Sequence, residues 1–279
     1  MLLSALAAVA GCQRPFMTSD SPVKPAGMSP GSVALDVFFV RFPFGDREAN
    51  ETLWQEVDEQ HFPAELRRKL AENGFRVGLI GGQPPMALSK LMDLKDKPMP
   101  TGEAAQVDLA EADDVPRVIR RHLQTRAGRR SEIVASPEYE QMPVLLRESG
   151  RLAGQTFAHA QARLAVKTLP QPDGHVLLEL VPELQHDQAR QRWIGDNQGM
   201  LRLKADRPCR AFDEMKISAK LAPGSMLLLS SLTTRPASLG HRFFTENDGQ
   251  LEQKLLVIRL VQTQHDSVFS PPDVLQLDE

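Results

Sequence analysis

The sequence predicts an α+β fold, with a small N-terminal α/β module followed by a β-rich core of antiparallel hairpins. Two observations predict it. Helix-period stretches, one of them bounded by Pro63 and Asn73-Gly74, are confined to the first third of the chain, between strand-like runs. From Gln161 to His265 apolar residues alternate with polar ones or form short blocks, and turn signals separate them. The 279 residues, 41% of them hydrophobic, can supply one large or two modest cores. A net charge of −3 argues against bulk attraction to nucleic acid, so nucleic acid is not an expected partner. With 5% aromatic residues and a single Tyr, the chain lacks the Trp and Tyr girdles of a large lipid-facing barrel.

Residues 1–12 form a short apolar run that ends in Val9-Ala10-Gly11-Cys12. At about ten residues the run is too short for a spanning helix and suits the core of a signal peptide. Its ending reads as a lipobox, in which Cys12 is acylated and anchors the mature protein in a membrane. Residues 13–32 contain four prolines with Ser, Gly and Lys and no apolar period, the composition of a tether. With Cys12 acylated, Cys209 is the one thiol left of two cysteines, so no internal disulfide is expected. A buried, inert place on a strand edge is the expectation for Cys209.

The α/β module is expected over residues 33–97. Ser32 to Phe42 is rich in β-branched and aromatic residues and reads as a strand. Asn50 to Asp58 reads as a helix with Leu53, Trp54 and Val57 on one side. Pro63 at a first helical position starts a second helix over Ala64 to Glu72, and Asn73-Gly74 closes it. A strand from Phe75 to Ile80 and a helix from Pro84 to Leu94 complete the module. Residues 98–116 carry Glu103, Asp108, Glu111, Asp113 and Asp114 and read as an acidic linker. Arg117 to Arg130 then holds six Arg and His122, read as a solvated strand pair that partly neutralises that linker.

The β-rich core is expected over residues 117–270, with 271–279 as a tail. Leu164, Val166 and Thr168 alternate with Arg163, Ala165 and Lys167 before the turn Pro172-Asp173-Gly174, and Val176 to Val181 follows. That is a β-hairpin. Lys216 to Leu221 alternates again, Pro223-Gly224 supplies a turn, and Met226 to Leu229 follows, which predicts a second hairpin. Gly240 lies in a Leu-Gly loop before Phe243-Phe244. Phe243, Phe244 and Trp193 are candidates for core or interface; if the two Phe rings share an alternating strand, one points away from the core, where a partner could cover it, and the three residues are the expected interface set.

The order of these pieces resembles the C-terminal core of the secretins, the outer-membrane ring proteins of secretion and pilus systems. The matching residues are Pro172-Asp173-Gly174, Val181-Pro182-Glu183, Ala222-Pro223-Gly224, Ser231-Leu232, Ser238-Leu239-Gly240, Phe243-Phe244 and Lys254 to Ile258. Ser230-Ser231-Leu232 stands where secretins usually carry Gly-Gly-Leu, and a short Arg235 to His241 loop replaces the longer loop of pore-forming members. The resemblance implies a short, secretin-like lipoprotein anchored in the outer membrane and facing the periplasm. It implies envelope or secretion-system proteins as partners, together with a homo-oligomer. The α/β module fits the small domains that precede a secretin core.

Catalytic constellations do not assemble from the sequence, and no cofactor, metal ligand set or catalytic residue is expected. The seven His lack the spacing that places two ligands on one helix face. No Gly-x-Ser-x-Gly elbow and no Gly-rich phosphate loop before a helix is present. Glu56, Asp58 and Glu59 lie on a helix face, and Asp213-Glu214 precede a strand. Three functional readings follow: a subunit or accessory of a type II/III secretion or pilus-type export assembly, a monomeric pore-less lipoprotein that binds another envelope component, and an exported hydrolase using dispersed carboxylates.

Overall fold

The structure is a computed structural model and describes residues 31–92, 117–148, 150–195, 201–247 and 249–263, with backbone only for 117, 190–195 and 201–206. The expected lipobox with Cys12, most of the tether, the acidic linker and the C-terminal tail lie outside the described residues. In chain order the elements are β1 (Ser32–Pro43), a π-helical turn at Glu48–Thr52 running into a 3-10 turn at Leu53–Gln55, α1 (Ala64–Glu72), β2 (Phe75–Ile80) and α2 (Met86–Met92). Then come β3 (Arg117–Arg126), β4 (Arg130–Glu148), β5 (Arg151–Pro170), β6 (Val176–Gln185), β7 (Arg190–Gly195), β8 (Leu201–Asp206) and β9 (Cys209–Ala211). A 3-10 turn at Asp213–Met215 leads into β10 (Ile217–Leu221), β11 (Met226–Ser231), α3 (Leu239–Phe244), β12 (Thr245–Asn247) and β13 (Leu251–Thr263).

Two antiparallel sheets stack face to face. The first has the order β2-β11-β13-β1-β3, with β12 beside β13, and the second has the order β10-β6-β5-β4, with β9 beside β6. β7 and β8 pair only with each other among the described residues. One face of the first sheet, with Val37, Phe39, Val77, Leu229, Leu256 and Ile258, packs on Met142, Val144, Phe157, Leu164 and Leu178 of the second. Its other face, with Phe38, Val40, Leu228 and Val257, packs under Leu53, Trp54, Leu88 and Leu91. The first sheet is therefore buried on both faces, which is why β1, β11 and β13 read as near-continuous apolar runs.

Strands expected in the N-terminal module and strands expected in the later core share this one sheet. β1 pairs with β13 through Val37 and Ile258, and β2 pairs with β11 through Val77 and Leu229. Sequence neighbourhood set the expected boundary, whereas sheet pairing joins strands from opposite ends of the chain.

The first predicted hairpin forms as β5 and β6, with Pro170 opposite Val176. The second does not. β10 pairs with β6 in the second sheet, while β11 pairs with β13 and β2 in the first, so the Pro223-Gly224 turn carries the chain across the sandwich. The two strands differ in kind: β10 alternates buried and exposed, as a half-exposed strand does, and β11 is buried throughout. Gly224 has φ +86°, and its N–H donates to Leu260 O at 2.8 Å, which ties the crossing to β13.

The helical readings hold in outline. α1 and β2 have their expected bounds, with Pro63 one residue before the helix as its N-cap. The helix expected over Asn50 to Asp58 is instead the pair of turns at Glu48–Gln55, yet Leu53, Trp54 and Val57 are buried as its periodicity requires. Asp46 accounts for the irregular start, because its Oδ1 accepts from Ala49 N–H (2.8 Å) and its carbonyl accepts from Asn50 Nδ2 (2.7 Å).

Candidate functional site at the β3 edge

β3 is an outer strand of the first sheet, and β1 is its one strand partner among the described residues. Ile119, Arg120, Arg121, His122, Gln124 and Arg126 are exposed along it. The basic run is therefore an edge strand, and its continuation from Arg130 belongs to the second sheet and pairs with β5, so the expected strand pair does not form.

The two faces of β3 do different things. On one face Asp36 of β1, with a side chain 3% exposed, receives Arg120 Nη2 at 2.7 Å and lies 3.2 Å from His122 Nδ1. Burial by itself would raise the Asp36 carboxyl, but the hydrogen bonds from Arg120 and His122 outweigh it and hold the group below the usual carboxylate range. Arg120 also lies over the Phe38 ring at 5.6 Å.

On the other face Ile119 and Arg121 border a cleft of about 230 Å³, where the second sheet separates from the first. The floor is Phe39, Arg41 and Lys254, and the wall is the β4 segment Val134 to Pro137. That segment is a bulge: Val134 opposes Arg163 and Glu138 opposes Gln161, leaving three residues of β4 across from Ala162. Ser136 repairs the ladder, its Oγ accepting from Ala162 N–H at 2.9 Å.

A partly buried ion network, centred on the buried Lys254, closes one end of the cleft. Lys254, 3% exposed, donates from Nζ to Ala135 O (2.5 Å) and to Glu246 Oε1 (3.1 Å). Arg41 Nη2 reaches Glu246 at 3.0 Å, and Nη1 lies 3.8 Å from Glu252. Burial pushes the Lys254 ammonium down and Glu246 partly restores it, so the direction is downward. Arg41 Nε is buried without a hydrogen-bond partner, and Arg121 forms no ion pair among the described residues. Chemically the arrangement can recognise an anion next to an unpaired backbone edge. Sequence reasoning missed Arg41, Glu246 and Lys254. The signal was present, since a cation inside each of two apolar strands that also contain the core requires a buried partner.

The other expected site residues fall elsewhere. Phe243 and Phe244 are not interface residues: both are fully buried on α3, at 5.3 and 6.1 Å from the Phe75 ring. A helix, not a strand, carries them, and it is wedged between sheets that cover both rings. Gly240 is in the first turn of that helix and not in a loop turn; its N–H donates to Asn73 O at 2.8 Å. Trp193 stands on β7, and its side chain is outside what the structure describes. Asp173 and Gly174 form the β5–β6 turn. The Lys220 ammonium at 2.6 Å, with the His175 N–H, lowers Asp173 to about 2.

Cys209 sits on β9 at the sheet margin and is exposed, not buried as expected. Its Sγ faces Glu183 Oε2 at 3.3 Å, and partial burial together with that carboxylate pushes the thiol up to about 12. Glu59 receives Arg76 at 2.6 Å, and Asp213 and Glu214 form the 3-10 turn before β10. Among the described residues no three His, Cys, Asp or Glu side chains gather as a metal site, and no helix is long and apolar enough to cross a membrane.

No family model and no curated protein matches the chain. Several solved structures show weak likeness. The secretin-domain β-barrel of InvG from the Salmonella SPI-1 injectisome is 10% identical with a TM-score of 0.23, over 84% of this chain and 61% of that one. The pilotin–secretin complex AspS–GspD of enterotoxigenic Escherichia coli gives 12% and 0.25, over 86% and 51%. The type II secretin GspD of enteropathogenic Escherichia coli gives 13% and 0.21, over 82% and 66%. The chain thus spans between about half and two thirds of each. Scores this low carry no argument of their own about function.

Proposed function

We propose that this chain is a lipid-anchored envelope protein, a subunit or accessory of a secretion or pilus-type export assembly, that works by strand-edge association and not by catalysis. The observation that carries the reading is the outer edge of β3, ten residues long, without a strand partner among the described residues and lined with exposed Arg side chains. An unpaired edge of that length can take up another strand, and the row of Arg side chains restricts that strand to one of opposite charge. The secretin-like residue order supports the export role: its pieces form the β5–β6 hairpin, the sheet crossing at Pro223-Gly224, α3 and β13. The cleft floored by Arg41 and Lys254 is complete within one copy and favours the second reading, a monomeric lipoprotein that binds another envelope component.

Labelling with radioactive palmitate, followed by separation of inner and outer membranes, tests the anchor. The expected result is label in the wild-type protein, none in Cys12→Ala, and recovery with the outer membrane. Unlabelled wild-type protein in the soluble fraction would overturn it.

A further inference from the structure

The edge of β3 and the cleft beside it adjoin, and together they specify a kind of partner. A strand added to the outer edge of β3 places alternate side chains on the cleft side, next to Arg121, and the others beside Arg120 and His122. The second set meets Arg120 and His122, whose side chains Asp36 already engages. The first set meets Arg121 and beyond it Arg41; among the described residues Arg121 has no ion pair and the Arg41 Nε–H has no acceptor. Arg41, Arg121 and Lys254 line the cleft with one carboxylate, Glu246, which pairs with Arg41 and Lys254 and leaves Arg121 without an ion pair among the described residues.

We propose that β3 and the cleft form one docking site for an extended acidic segment of a partner protein, which pairs with the β3 backbone and places a carboxylate in the cleft against Arg121 and Arg41. Charge complementarity selects an acidic strand, whereas a basic or phosphate-binding segment meets the Arg row with like charge; peptide binding blocked by the chain's own acidic residues 98–116 would overturn the assignment to a partner. The site is built for a strand because an ion alone would leave the edge N–H and C=O groups of β3 to water. Burying the acid beside Lys254 in a partly enclosed cleft strengthens its pairing over that of a surface charge. This inference rests on the reading that the protein acts by binding; it does not require an export role.

The test uses the purified full chain and a fluorescent peptide as long as β3, 10 residues, alternating Glu and Val. Fluorescence anisotropy is expected to show binding that weakens with salt. Arg121→Glu, at an exposed position that leaves the core untouched, is expected to weaken binding by about tenfold, the loss of one charge-assisted hydrogen bond. A peptide methylated on alternate backbone nitrogens, with its charge unchanged, is expected not to bind. Absence of binding, or equal binding by the methylated peptide and to Arg121→Glu, would overturn the proposal. So would concentration-dependent self-association that Arg121→Glu abolishes without peptide, because that assigns the edge to a second copy. Failure of these tests with the protein still recovered in an envelope complex would leave the function proposed above standing.

Discussion

The side-chain amide of Asn73 pairs with both backbone groups of Arg147, donating from Nδ2 to the carbonyl at 3.1 Å and accepting from the N–H at 2.8 Å. One side chain thus serves as a strand along the outer edge of β4. Its own backbone closes α1, the N–H donating to Lys69 O and Leu70 O, and its carbonyl accepts from Gly240 N–H. Three elements meet at this residue, which is 2% exposed.

Asn73→Ala leaves the Arg147 N–H and carbonyl without this partner, and it is expected to cost about 1–3 kcal/mol. Urea unfolding would show the lowered midpoint, and amide exchange at Arg147 should speed up. Unchanged exchange would mean that Asn73 does not hold β4.

Gly240 is where α3 touches the end of α1. A Cβ there would lie 2.2 Å from Gly74 O, and Gly74, at φ +81°, cannot retreat without giving up the α1 stop. Gly240→Ala is therefore expected to destabilise by about 1–3 kcal/mol or more, since the obstacle is backbone. Thermal melting should show this, while Gly249→Ala, with nothing near its Cβ, serves as a comparison limited to backbone strain. Equal losses at the two positions would remove packing as the cause.

The imidazole of His241 is half-buried, its Nδ1 lacks a hydrogen-bond partner, and it lies 5.9 Å from the Phe44 ring. Burial, then the neighbouring Arg242, lowers its affinity for protons below the ordinary value of 6.5. The folded state therefore binds fewer protons here than the unfolded state. Stability from this group is present above 6.5 and is lost as pH falls towards the lowered value. His241→Phe is expected to flatten that slope in melting temperature. Asp36 has the same sign in a lower window, beginning below 3.8, so the two are separable. An unaltered slope in the variant would assign the loss to another group.

Lys254 offers a test of the partly buried network. Lys254→Ala removes the donor to Ala135 O and one of the two cations at Glu246, with Arg41 left as the other, and is expected to cost about 1–3 kcal/mol. Lys254→Met, similar in volume, restores packing and should recover part of that loss. Equal destabilisation by both, measured by urea unfolding, would mean that charge pairing outweighs packing here.

Local elements were legible in the sequence and their partners were not. α1, β2 and the β5–β6 hairpin follow from caps, turn residues and period, which act over a few residues. The pairing of β1 with β13 and the crossing at Pro223-Gly224 depend on which strands are buried on both faces, and only the unbroken apolar runs hinted at that. Phe243-Phe244 misled because two adjacent aromatics after a Leu-Gly pair suit a strand as well as a short helix. At the site, the basic run at β3 was visible, but its tie to Asp36 and its place above Lys254 arise from tertiary register.

The most direct test of the central claim, association through the β3 edge, is the mass of the protein extracted in mild detergent from envelope membranes, measured by light scattering for wild type and Arg121→Glu. The account predicts a discrete complex larger than one chain, which Arg121→Glu dissociates while its thermal melt is unchanged. A single chain from wild-type membranes, or a complex that Arg121→Glu leaves intact, would contradict it.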